Sequence, residues 1–120
     1  MTLQEMRQWL TALRQELEKL AVGSRDSALV LDELDHVYGK LGSDRALADQ
    51  VLIEWLGSED EGARFDALHL VRKFRVTDAR DVLRRLHDRL GQSSAPGAPF
   101  EQRRIAETLA ELGGHAHGAI

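Results

Sequence analysis

Apolar side chains recur at steps of three and four along the chain, the spacing that gives a helix one buried face. Leu3, Met6, Leu10, Leu13, Leu17 and Leu20 predict a first helix over 2–21, with an a/d seam of nearly three heptads and Trp9 at its flank. Gly23 and Ser24 predict a stop and a cap. Leu29, Val30, Leu34, Val37, Tyr38 and Leu41 mark a second helix over 25–41. Gly42 breaks it, and Ser43 or Asp44 is suited to cap a third, over 45–57, that buries Leu47, Ala48, Val51, Leu52, Trp55 and Leu56.

The run Glu59-Asp60-Glu61 opens a fourth helix, over 60–74, where negative charge favours the N-terminus. Its expected core residues are Ala63, Phe65, Ala67, Leu68, Val71 and Phe74. Thr77-Asp78 starts a fifth, over 78–91. Both prolines fall in GQSSAPGAP (91–99), after which a sixth helix runs from Pro99 to Leu112 with proline in its first turn. The tail GGHAHGAI reads as frayed, and no segment has the period of a strand.

Six short helices with tight connections predict either stacked helical hairpins or a compact six-helix bundle. Internal repetition favours the hairpins. A shift of 34 residues lays Asp32, Leu34 and Val37 on Asp66, Leu68 and Val71, and Asp44, Ala48, Leu52 and Leu56 on Asp78, Val82, Leu86 and Leu90. A shift of 39 lays Arg64, Ala67 and Leu70 on Arg103, Ala106 and Leu109. EGARFDALHLVRKF and EQRRIAETLAELG resemble the first helix of a HEAT repeat, and YGKLGSDRALADQVLIEWL resembles the Leu-Gly–Asp hinge and second helix of the bacterial short-repeat type. The resemblance covers 28–113; residues 24–33 match it poorly and the third repeat lacks its second helix. It implies an all-α, right-handed superhelix of hairpins. The expected organisation is one domain, with a capping helix (1–22), repeats (24–113) and a flexible tail (114–120).

Composition narrows the setting. At 120 residues with 42% hydrophobic and 30% charged side chains, the chain suits a soluble globular domain. There is no cysteine, so disulfides and thiol chemistry are excluded. The opening MTLQEMRQWL is amphipathic and unlike a secretory signal, and no apolar run suits a membrane span. A reducing cytoplasm is the expected location. Charge is unevenly placed: residues 1–61 carry net −7, residues 62–104 net +5, and the whole chain −4. Such asymmetry points to a charged partner.

Chemistry-bearing patterns are few. Deoxyhypusine hydroxylase-like members of the resembled family hold iron through His-Glu pairs, and this chain has no such dipeptide. Asp32 with His36, and Asp66 with His69, have helical spacings compatible with a metal, but two pairs would have to converge. No serine elbow and no phosphate-binding GxxxxGK loop occurs. The expectation is a non-enzyme without metal or cofactor.

The basic stretch RVTDARDVLRRLHDRL (75–90) carries the candidate site. At about 100° per residue, Arg80, Arg84 and His87 gather on one flank of the fifth helix, and Arg85 and Arg89 on the other. Asp81–Arg85 and Arg84–Asp88 are possible i,i+4 pairs that would leave a merely solvated face. In a hairpin solenoid the fifth helix lines the inner surface beside the third, which offers Glu54 and Trp55. Arginine near tryptophan suits a protein surface. The expected function is a protein–protein adaptor, monomeric or weakly dimeric, contacting an acidic protein through Arg80, Arg84, Arg85, His87, Arg89, Trp55 and Glu54. The alternatives are nucleic-acid binding through the basic segment 64–104, and a small HEAT-like enzyme or chromophore-lyase relative.

Overall fold

A computed structural model of the chain describes residues 1–24 and 28–113. Among them are six α-helices, two 3₁₀ turns and no strand, so the fold is all-α. The helices are α1 (Leu3–Ser24), α2 (Leu29–Tyr38), α3 (Arg45–Leu56), α4 (Glu61–Phe74), α5 (Arg80–Gly91) and α6 (Ala98–Glu111). A 3₁₀ turn, Gly42–Asp44, leads into α3, and a second, Thr77–Ala79, leads into α5. The order helix, 3₁₀ turn, helix thus occurs twice, the second turn starting 35 residues after the first (Thr77 against Gly42). The expected start of the second helix at residue 25, and the tail with His115 and His117, lie outside the described residues. None of the helices among the described residues is long and apolar enough to cross a membrane.

Contacts divide the chain into two compact units, Met1–Leu52 and Ile53–Ile120, with the boundary inside α3. In the first unit α1 packs on α2. A reciprocal cap starts α1: the Glu5 N–H donates to Thr2 Oγ1 (3.1 Å) and the Thr2 N–H to Glu5 Oε1 (2.9 Å). These bonds, led by the one from the Thr2 backbone, hold the Glu5 carboxyl below its ordinary range. The buried face of α1 is Met6, Leu10, Arg14 and Leu17, not the full heptad seam: Leu13 is half-buried and Leu20 exposed. A straight helix drifts about 20° per heptad against a 3.5-residue repeat. Arg14 takes the vacated place because its aliphatic stem covers apolar surface while its head pairs with Glu18 (2.8 Å). Gly23 lies inside the last turn instead of ending the helix, since one glycine costs only about 1 kcal/mol in a helix interior.

The second helix ends at Tyr38, three residues early. Gly42 then turns the chain at φ +58°, a conformation that favours glycine. No side chain caps the 3₁₀ turn; the Asp44 N–H donates to the Leu41 carbonyl (3.1 Å). The Tyr38 ring is buried, its hydroxyl donates to Asp49 Oδ1, and the Arg45 guanidinium lies 4.9 Å over the ring centre. Burial first, then the bond to Asp49, raises the Tyr38 pKa, so the hydroxyl stays a donor.

In the second unit α6 packs on α5 and α4. Asp60 caps α4, accepting the Ala63 N–H on Oδ1 (3.2 Å), in line with the acidic run that opens it. The buried stripe of α5 is Leu83, Leu86 and Leu90, continued by Ala79 of the preceding 3₁₀ turn, with Val82 half-buried. Ile105, Thr108 and Leu109 bury one side of α6, continued by Leu112 at its C-cap, and Gln102 Nε2 donates across to the His87 carbonyl of α5 (3.0 Å). One expected core residue of α4 is misplaced by the sequence argument: Phe65 is 44% exposed. The buried residues of α4 include Ala63, Asp66, Ala67, Leu70 and Val71. At about 100° per residue Phe65 lies roughly opposite the centre of that arc.

Candidate functional site

The predicted basic cluster does not form one site. Arg80 turns back on its own segment, donating Nε to the Thr77 carbonyl (3.1 Å). Arg84 pairs with Asp81 (2.9 Å), so neither expected i,i+4 pair forms; the i,i+3 partner on the previous turn is taken instead. Arg80 and Arg84 share a shallow depression of 360 Å³ with Asp78 and Asp81. Carboxylates there neutralise the cations, which disfavours a phosphate. Arg84 and His87 meet again at a smaller hollow of 110 Å³ with Asp88 and Leu109, where His87 Nδ1 lies 4.0 Å from Asp88 Oδ1. Arg85 and Arg89 are exposed without an ion-pair partner among the described residues, and Arg89 borders a third depression with Glu59 and Arg64. Glu54 is exposed, whereas Trp55 is only 8% exposed and belongs to the core.

A second region, between α4 and α6, is built differently. Arg64 and Glu101 form a two-pronged pair, Nε to Oε2 at 2.7 Å and Nη2 to Oε1 at 3.0 Å, with side chains 12% and 18% exposed. Arg64 also donates Nη1 to the Ser58 carbonyl (3.1 Å). The bond to Glu101 raises the Arg64 pKa against its partial burial. Eight residues on, Arg72 grips Glu111 with two bonds of 2.7 Å, and Arg75 Nη2 donates to the Glu111 carbonyl (3.0 Å). Both carboxylates belong to α6 and both bidentate arginines to α4, met in the same order along each helix. The two helices therefore run parallel and are tied at both ends.

Over the first of these ties lies a groove of 310 Å³. Phe65 and Leu68 of α4 and Phe100 of α6 make its apolar surface; Glu61 and Arg104 stand at its rim. Phe100 is 66% exposed. The Arg104 guanidinium lies 4.6 Å over the Phe65 ring centre, a cation–π contact that holds the aromatic and covers one part of it while the ring stays 44% exposed. Exposing two phenylalanines on neighbouring helices leaves apolar area in water at about 25 cal/mol per Å².

Sequence reasoning missed this groove for two reasons. Residue type places Phe65 in the core, whereas the helical angle of its position opposes that. Phe100 sits in the first turn of α6 beside the proline loop, where too few residues flank it for a period to be read. Among the described residues no group of three His, Cys, Asp or Glu side chains is placed to hold a metal ion. No family model, curated protein or solved structure matches this chain.

Proposed function

We propose that the chain is a non-catalytic interaction module of HEAT-like helical hairpins, working in the cytoplasm, that holds a protein partner on the α4–α6 face. The observation that carries this reading is the pair of exposed rings, Phe65 and Phe100, lining one apolar groove. Aromatic anchors beside an arginine are the usual composition of energetic hot spots in protein interfaces, and exposed apolar surface gathered at one place marks an interaction site more often than scattered residues do. The recurring order of helix, 3₁₀ turn and helix, and the parallel course of α4 and α6, support the HEAT-like assignment. The α5 arginines take a secondary place, because Arg80 and Arg84 are engaged within their own segment.

Affinity capture from lysate with nuclease present tests the proposal. A defined protein should be retained by wild type and by Arg84→Glu/Arg85→Glu, and lost with Phe65→Ser/Phe100→Ser. Both variants should retain the helical circular-dichroism signal and a cooperative thermal transition, so that loss of capture is not loss of fold. Capture that vanishes with nuclease would favour nucleic acid instead. Loss with the arginine variant and not the phenylalanine variant would return the site to α5.

A further inference from the structure

Resting on that reading, we infer that the groove takes an acidic amphipathic helix of the partner, with one bulky apolar side chain seated between Phe65 and Phe100 and a carboxylate on Arg104. The inference comes from how Arg104 is held. Its α6 neighbour Glu101 is occupied at both oxygens by Arg64, and among the described residues Arg104 has no carboxylate partner. It lies instead with its charge over the Phe65 ring. Among the described residues its guanidinium N–H groups make no hydrogen bond, so the five donors are free for a two-pronged bond to a carboxylate while the ring limits where the group can lie. Arg103, next to it, is exposed and likewise without an acid partner among the described residues.

Glu61 lies three residues before Arg64 with its carboxylate beside Gly97 at the start of α6. Arg104 lies three residues after Glu101, so along the parallel helices Glu61 and Arg104 flank the Arg64–Glu101 tie on opposite sides. The two ends therefore differ in sign, and an occupant is directed: its acid belongs at the Arg104 end, and an acid at the Glu61 end is repelled. The volume, 310 Å³, stands at the bottom of the range of about 300–1,000 Å³ for small-molecule sites. That is room for one large side chain anchoring a longer segment. The lining residues of α4 and α6 are spaced at three and four, so the groove presents two parallel helical ridges, the surface into which a third helix packs by its own i,i+3 and i,i+4 rows.

The experiment is a selection of randomised amphipathic helical peptides, displayed on phage, against the immobilised full chain. Enriched sequences should pair Trp, Phe, Leu or Met with Asp or Glu three or four positions away. A synthetic peptide of the consensus should bind wild type at least tenfold more tightly than Arg104→Gln, and should lose as much when its own acid becomes the amide. The two changes combined should cost little more than either alone. Phe65→Ser/Phe100→Ser should abolish binding. Peptides that need the two phenylalanines but show no acid preference, or bind Arg104→Gln equally, would overturn the acidic-helix inference and leave the interaction face standing. Enrichment of nothing, or of peptides indifferent to both phenylalanines, would overturn the inference and the face together.

Discussion

The Arg64–Glu101 pair shows what burial does to a salt bridge. Exposed pairs contribute little because water screens them and long side chains must be ordered. Here both side chains are largely covered and make two parallel bonds, with a third from Arg64 to Ser58. Removing one partner leaves the other desolvated, so Arg64→Ala should cost about 2–3 kcal/mol, read as a lower urea midpoint. The double variant with Glu101→Ala should cost less than the two single losses added. A cost for Arg64→Ala below 0.5 kcal/mol, about the size of a surface effect, would show the pair to be screened. Arg75 offers a second residue-scale test. It ends α4 with φ 55°, the left-handed region that side chains with a Cβ enter at a cost of about 1–2 kcal/mol. Arg75→Gly and Arg75→Ala both delete the bond to the Glu111 carbonyl, yet the glycine variant should be more stable by about 1 kcal/mol. Equal thermal midpoints would mean that the backbone there relaxes.

At the scale of elements, α6 is positioned by groups outside its own periodicity. Arg64 and Arg72 hold it from α4, and its own Gln102 reaches the end of α5. The Arg72 bond holds the Glu111 carboxyl below its ordinary value of 4.5. A carboxyl with a depressed folded pKa contributes stability that is present above the unfolded pKa and lost as pH falls through the folded one. The difference in thermal midpoint between wild type and Glu111→Gln should therefore be constant near neutrality, shrink below pH 4.5, and vanish beneath the depressed value. A difference independent of pH down to acid denaturation would assign the effect to packing. The arginine-rich helix is an element-scale lesson as well. Its amphipathic stripe is as expected, but Asp81 turns to Arg84 and away from Arg85, so equal counts of possible partners do not say which pair forms.

For the whole molecule, charge and apolar surface make different demands on a partner. The net charge is −4 despite the basic segment, and several of its arginines are already neutralised by carboxylates of the same chain. A partner seated on Phe65 and Phe100 should tolerate salt, losing no more than about tenfold in affinity between 50 and 200 mM, whereas six or more phosphate contacts would lose about a thousandfold or more. Titration of the captured partner across that range distinguishes the two, and a steep slope would move the function to nucleic acid.

The sequence by itself determined that the described residues are all-α, how many helices they form, and nearly where most of them start and stop. Those properties are local: a 3.6-residue period, a capping aspartate at residue 60, a glycine at 42 and a proline at 99 act within one or two turns. Part of what remained was legible and overlooked, since the Thr2–Glu5 cap and the outward angle of Phe65 follow from spacing alone. The 39-residue repeat already set α4 and α6 as equivalent helices of neighbouring hairpins, but tertiary structure alone decided which side chains tie them. It joined Arg64 to Glu101 across 37 residues and brought Phe100 to Phe65, and its packing placed Trp55 in the core. Such contacts depend on which faces the helices present to one another, and a period shared by all six helices cannot specify which pairs of faces meet.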